Sequence, residues 1–314
     1  MAAAISAVTA AFAQLSSGQA AVPLRPHIAI PPANGLGLVM PAYLAESGAF
    51  GVKVLTLFRN NPALGLPTIN ALVLLLDTTT GLPLALMDGS YLTALRTGAA
   101  SGAATQLMAR PESRVLALFG AGAQALCQVW AVCTARPIER VWIVNRTRAR
   151  AEQLATELAQ FGAPIPSDVR IASTASAALS EADVVCCATA ATMPVFDDAD
   201  LKPGTHLNGV GSYMHSMQEI PSATVARARV VVDQRGPAWA EGGDLVFARD
   251  QGLITEAHIV AELGEVALGQ VVGRTDPDQI TFFKSVGNAV QDVAVAQIAY
   301  QQALNQGLGQ TITF

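Results

Sequence analysis

Apolar positions along this chain follow first one rhythm and then another. Ala2 to Leu15 reads as an alanine-rich helix, and Gly35 to Pro41, Gly51 to Phe58, Ile69 to Leu76 and Leu82 to Met87 read as strands. The last two strands form a hairpin around Asp77-Thr-Thr-Thr-Gly81, after which Asp88-Gly-Ser90 caps a helix from about Tyr91 to Met108. Arg110-Pro111 marks a boundary. Beyond it, strand and helix spacing alternate over residues 114–119, 122–134, 141–145, 147–160, 169–172, 176–181 and 183–187. Short, continuously apolar strands separated by helices build a parallel sheet covered on both faces. Further strands at His206 to Val210 and Val230 to Val232 extend it, and a final helix from about Asn288 to Leu304 returns to the first region.

The first βα turn of this second region carries chemistry. It reads Val115-Leu-Ala-Leu-Phe-Gly120-Ala-Gly122-Ala123-Gln124-Ala125, in which one glycine permits a tight turn and the next lets backbone N–H groups approach a pyrophosphate. The following strand ends in Asn145-Arg146-Thr147, where a carboxylate would normally grip a ribose 2′-hydroxyl. A neutral side chain and a guanidinium there favour NADP(H) and leave NAD(H) open. The expected fold is therefore α/β: a Rossmann-type doubly wound parallel sheet domain, residues 111–287, binds NAD(P). Residues 1–110 with 288–314 form a discontinuous α+β domain for substrate binding, to which the resemblance given below adds dimerisation.

Composition narrows the picture further. Of 314 residues 51% are hydrophobic and only 14% charged, so surface is expected to be buried between subunits. A net charge of −5 without a basic run argues against nucleic acid. The alanine-rich start lacks a positive flank, and no apolar stretch reaches the ~20 residues that span a bilayer, so a cytoplasmic protein without membrane contact is expected. Cys127, Cys133, Cys186 and Cys187 lie in apolar surroundings without metal-ligand spacing and read as packing residues. No GxSxG or HExxH string suggests a hydrolase.

The first region holds the other candidate chemistry. Alternation along Gly51 to Phe58 puts Lys53 on one face with Leu55 and Leu57, while Val52, Val54 and Phe58 take the other. A lysine in a strand apolar on both faces either escapes to solvent at an edge or meets an anion. If buried, it has the lowered pKa that suits proton transfer or imine chemistry. Arg96, among small and apolar neighbours, and Arg25, between two prolines, are candidates to clamp a carboxylate with it.

These segments together resemble the ornithine cyclodeaminase/mu-crystallin family. The resemblance runs in order through Gly51-Val-Lys53, Asn61-Pro-x-x-Gly65-Leu-Pro67-Thr68, Asp77-x-x-x-Gly81-x-Pro83-Leu84 and Leu92-Thr-Ala-Leu-Arg96-Thr-Gly-Ala-Ala-Ser101. It continues through Gly120 to Ala125, Asn145-Arg146, Lys284-Ser285-Val-Gly287 and Gln291-Asp292. It implies a homodimeric NAD(P)-dependent enzyme acting on a small amino or imino acid. Lys53 becomes the catalytic lysine, Arg25 and Arg96 carboxylate ligands, and Thr68, Ala123, Gln124, Asn145, Arg146 and Ser285 cofactor contacts, joined by Gly120, Gly122 and Thr147 of the turns.

The resemblance also shows a departure. Where the cyclodeaminase branch carries an aspartate in the loop after a late strand, this chain has Tyr213, and a phenol with an ordinary pKa near ~10 does not serve amine chemistry as a carboxylate does. Reduction of a small cyclic imino acid such as Δ1-pyrroline-2-carboxylate is the preferred expectation, with Tyr213 or His215 as candidate proton donor. Ornithine cyclodeamination, alanine dehydrogenation and ligand binding of the mu-crystallin kind stand as alternatives.

Overall fold

A computed structural model describes residues 1–312; Thr313 and Phe314, the last two positions of the expected discontinuous domain, lie outside the described residues. Helix α1 (Ala2–Ser16) is followed by β1 (Ala20–Ala21), β2 (His27–Ile30), β3 (Gly35–Leu44), β4 (Ala49–Phe58), β5 (Ile69–Leu76) and β6 (Pro83–Asp88). They form an antiparallel sheet in the order β1-β3-β4-β5-β6, with β2 also paired to β3. Alternation gives it two unlike faces. Lys53, Leu55 and Leu57 of β4 point inward and are buried, whereas Val54, Leu72 and Leu86 share the outer face and are exposed. Helix α2 (Gly89–Met108) begins where the Asp88 side chain accepts the Ser90 N–H at 2.7 Å, the expected cap.

The second sheet is parallel and eight-stranded. Its elements are β7 (Val115–Phe119), α3 (Ala125–Ala135), β8 (Arg140–Val144), α4 (Arg148–Phe161), β9 (Asp168–Ile171), α5 (Ala175–Leu179), β10 (Val184–Cys187) and β11 (His206–Gly209). Then come α6 (Ser222–Arg227), β12 (Arg229–Val232), α7 (Arg235–Glu241), α8 (Gly243–Asp250), β13 (Ile259–Glu262), α9 (Leu263–Ala267), β14 (Thr281–Lys284) and α10 (Ala289–Gln306). The order is β13-β12-β14-β11-β10-β7-β8-β9, so the chain reverses direction across the sheet between β7 and β10. Ligands of doubly wound sheets sit at the carboxyl end of that switch point.

Alternate residues of β7 serve opposite layers. Leu116 and Leu118 pack with Val129 of α3 and Leu154 of α4, while Ala117 and Phe119 pack with Leu179 of α5 and Leu245 of α8. A third core joins the two sheets: Val73 and Leu75 of β5 cluster with Val231 and Phe283 of the parallel sheet through Ala99 of α2 and Val293 of α10. Each fully buried Leu, Val or Phe contributes roughly 1.5–3 kcal/mol by leaving water. Helices α2 and α10 therefore lie between the sheets, and both carry site residues.

The structure adds elements to the sequence expectation: the short strands β1 and β2, then strands β13 and β14 and the short helices α6 to α9, with β14 entering between β11 and β12. Helix α3 starts at Ala125 instead of residue 122, because Gly120 to Gln124 form the turn itself. The four cysteines are free and buried.

Candidate active site

Gly120 closes β7 with φ 101°, and a Cβ there would lie 2.6 Å from the carbonyl oxygen of Ala188, the residue just after β10. Only glycine fits that approach across the switch point. At Gly122 a Cβ would meet nothing within 4 Å, so the turn faces open space. Nearby, Gln124 Oε1 is buried without a partner among the described residues. Asn145 Oδ1 accepts the Ala121 N–H at 3.1 Å and its Nδ2 donates to the Thr147 carbonyl at 2.8 Å, which ties the turn to the end of β8. Arg146 and Thr147 are exposed, and Arg146 makes no ion pair among the described residues. A cavity of about 370 Å³ lies between Ala121 to Ala123 and Arg150, Gln153, Leu154 and Glu157. Open backbone at Gly122, an unpartnered amide oxygen and no carboxylate at the end of β8 fit a dinucleotide.

The second half of the site is a buried cluster of charges. Lys53 is fully buried in β4, which excludes the solvent-facing alternative, and its Nζ donates to Asp292 Oδ1 at 2.8 Å. Arg96 Nε lies 3.1 Å from the same oxygen, and its Nη1 donates to Gln291 Oε1. Asp292 and Gln291 sit in the first turn of α10, whose Asn288 cap accepts the Val290 N–H at 3.1 Å. A carboxylate in that turn also faces the positive end of the helix dipole. Burial lowers the Lys53 pKa to about 8, with Arg96 and Arg25 adding repulsion and Asp292 opposing both. Asp292 Oδ2 and Gln291 Nε2 are buried with no partner among the described residues, so this corner has unused hydrogen-bonding capacity.

Arg25 approaches from the loop between β1 and β2. Its Nε donates to Glu241 Oε1 at 3.0 Å and its Nη2 to Glu241 Oε2, while Nη1 reaches the Gly287 carbonyl at 3.3 Å. The expected carboxylate clamp thus already grips a carboxylate of its own chain. Gly287, with φ 85°, lets Arg96 come close, since a Cβ there would stand 2.7 Å from Arg96 Nη1. Ser285, expected at the cofactor, donates its hydroxyl to Asp233 Oδ2 at 2.8 Å, and that oxygen also accepts the N–H groups of Val286 and Gly287. Its hydroxyl therefore shapes the loop before α10. Thr68 is half-buried in the loop leading to β5.

The loop after β11 is built around another buried carboxylate. Glu219 accepts the N–H groups of Thr189 at 2.6 Å, Gly211 at 2.8 Å and Ser212 at 2.9 Å, so one side chain joins the loops that follow β10 and β11. Burial and neighbouring Asp244 push its pKa up to about 7, against the pull of Lys284. Lys284 Nζ donates to Asp244 Oδ2 at 2.9 Å and to the Ser212 carbonyl. Tyr213, in this loop, is half-buried with its pKa raised by burial, and His215 is exposed. Neither makes a hydrogen bond to the Lys53 cluster among the described residues.

The structure therefore brings Lys53, Arg96 and Arg25 together, and no hydrogen bond or ion pair among the described residues links them to the glycine turn or Asn145. Sequence reasoning missed Asp292, Gln291 and Glu241 as partners, along with the Glu219–Asp244–Lys284 support. Gln291-Asp292 was visible as a motif, but nothing in the spacing said which cation it meets. Among the described residues no helix is long and apolar enough to cross a membrane.

Comparison with known proteins identifies what the whole chain is similar to. A Δ1-pyrroline-2-carboxylate reductase of Bacillus cereus is 40% identical over 306 residues, covering 97% of this chain and 93% of its own. A structure of the Thermococcus litoralis Δ1-pyrroline-2-carboxylate reductase in complex with NADH and L-proline is 40% identical, covers 98% of this chain and 95% of its own, and superposes with a TM-score of 0.93. An archaeal alanine dehydrogenase dimer with bound NAD is 34% identical, covers 100% of this chain and 95% of its own, and has a TM-score of 0.92. The family pattern matches residues 1–307, and this chain belongs to the ornithine cyclodeaminase/mu-crystallin family.

Proposed function

We propose that this chain is an NAD(P)H-dependent reductase of small cyclic imino acids, of the Δ1-pyrroline-2-carboxylate type. The observation that carries the reading is the buried Lys53–Asp292–Arg96 cluster beside Arg25, a set of cations suited to a carboxylate next to a polarised C=N bond. The B. cereus relative bears that activity in its name, and L-proline, held in the T. litoralis structure, is the product such a reduction would form.

The nicotinamide cofactor supplies hydride when bound. Gly120, Gly122, Ala123, Gln124 and Asn145 are the residues to hold it, with Thr68, Thr147 and Ser285 as further contacts. Arg25 and Arg96 hold the substrate carboxylate, and two fixed guanidinium groups restrict rotation of the ring, which converts binding into orientation. Lys53, as an ammonium, passes a proton to the imine nitrogen, and the iminium so formed has the electron-poor carbon that hydride attacks, in a dry site where each charge acts strongly. Asp292 keeps Lys53 charged and aimed. Tyr213 remains the candidate second donor from the loop after β11.

The domain assignment of residues 1–110 with 288–314 against 111–287 belongs to the same reading. So does a preference for NADP(H), supported by neutral Asn145 and by an Arg146 that makes no ion pair among the described residues. A homodimer joined through the exposed apolar face at Ile28, Val54, Leu72 and Leu86 is supported by the dimeric alanine dehydrogenase neighbour. Free, buried cysteines support a cytoplasmic location.

The test is to follow NADPH and NADH oxidation with Δ1-pyrroline-2-carboxylate and its six-membered homologue, and to assay ornithine in parallel for ammonia and proline. Rapid cofactor oxidation with the imino acids is expected. Ammonia and proline from ornithine without net cofactor change would replace the reductase reading by cyclodeamination.

A further inference from the structure

Arg25 and Glu241 meet fork to fork, the geometry in which a guanidinium binds a free carboxylate. Their side chains are 16% and 21% exposed, and removing one partner of so shielded a pair leaves the other charge poorly compensated. A ligand that takes Arg25 for its own carboxylate must therefore also satisfy Glu241. The other neighbour of Glu241 does not serve: His27 Nε2 is 4.0 Å away, half-exposed, and its pKa is lowered by burial and by Arg25.

We infer that Glu241 is the recognition group for the cationic nitrogen of the substrate, holding Arg25 until an imino acid arrives and then exchanging its guanidinium partner for the iminium N–H. The inference rests on the imino-acid reading of the site. In a cyclic imino acid the carboxylate and the protonated nitrogen are attached to the same carbon, so anion and cation lie side by side. An Arg–Glu pair in direct contact presents the complementary charges at matching separation. A plain carboxylate would displace Glu241 and return nothing to it, so the pair selects zwitterions.

The backbone makes this exchange one-sided. Glu241 ends α7, and the next two residues are glycines in crowded positions: a Cβ on Gly242 would stand 2.6 Å from the Ala238 carbonyl oxygen, and Gly243 is closed in by the Met217 carbonyl. Asp244, next in line, accepts the N–H groups of Glu219 at 2.7 Å and Ile220 at 3.0 Å. Glu241 is thus mounted on a rigid support, whereas Arg25 lies in an irregular loop between two short strands. Adjustment on binding falls to Arg25.

The test compares L-proline with cyclopentanecarboxylate, its carbocyclic isostere, by calorimetric binding to the NADPH-loaded enzyme. Wild type is expected to favour proline at least tenfold. Glu241→Gln should lose most of that preference while holding cyclopentanecarboxylate as tightly or more tightly, and Arg25→Gln should weaken both ligands alike. Glu241→Asp, which keeps the charge but withdraws it by one methylene, should fall between, and it decides the matter if the glutamine variant fails a fluorescence titration with NADPH. An unchanged preference in the Glu241 variants, or equal weakening of both ligands, overturns the inference. Failure of wild type to bind either compound overturns the imino-acid site itself, and this inference with it.

Discussion

The two ends of the site are made of different material. At the glycine turn the working parts are backbone: a left-handed Gly120, open space at Gly122, and an Asn145 amide that pins the loop. At the Lys53 end they are buried side-chain charges drawn from the loop before β2, from β4, α2, α7 and α10. Backbone recognition needs only local geometry and tolerates one ligand shape. A buried charge cluster depends on every member, because each ion is tolerable only while its partner is present. The ends should therefore fail differently when damaged.

The largest separation is expected from Lys53→Ala. Loss of the charge beside the imine should lower kcat/KM by about 10³-fold, within the range of a positioned acid, while cofactor affinity measured by NADPH fluorescence stays within about twofold. A parallel loss of cofactor binding would show that the ends are one unit.

Asp292→Asn should follow at about 10²-fold, and it carries a pH signature. Burial, Arg96 and Arg25 lower the Lys53 pKa and Asp292 raises it, leaving it at about 8. Activity that needs protonated Lys53 falls as pH rises through that value, so removing the carboxylate should move the fall to lower pH. A kcat/KM profile that keeps its alkaline limb in place would reduce Asp292 to a packing role.

At the other end, Gly120→Ala should leave the Lys53 chemistry intact once cofactor saturates. A side chain at φ 101° against the Ala188 carbonyl should cost about 1–3 kcal/mol, read as a lower Tm, and should raise the cofactor Kd about tenfold. The smallest effect is Arg146→Ala. Because this guanidinium is exposed, its loss should lower kcat/KM with NADPH by only about fivefold and leave NADH unaffected.

The contrast also explains what could be read from the sequence. The glycine turn was legible because a left-handed residue and a close backbone approach both demand glycine, and both glycines stand in one short segment. Lys53 was legible as an anomaly, a charge amid alternating apolar residues. Its partner was not, since Asp292 lies 239 positions away and only the packing of α10 across β4 brings them together. Glu241 reads as an ordinary charge at the end of a short helix until Arg25 meets it. Most of the fold followed from periodicity, but β13 and β14 hold only two or three apolar residues before a charged one, Ile259-Val-Ala-Glu262 and Thr281-Phe-Phe-Lys284, and no clear helix sets them off from the surrounding loops. Only pairing to their neighbours distinguishes Thr281 to Lys284 from a loop.

That late strand has a consequence for how the protein is made. Strands β7 to β11 and the pair β12 and β13 have no hydrogen bonds to one another; β14 joins them, pairing with β11 on one side and β12 on the other. The full sheet therefore cannot form on the ribosome until residue 284 has emerged. The next helix to follow carries Asp292. The segment that completes the sheet and the residue that supplies the counter-ion to Lys53 thus leave the ribosome one just after the other, so neither the closed sheet nor the buried charge pair can form until nearly the whole chain has been made.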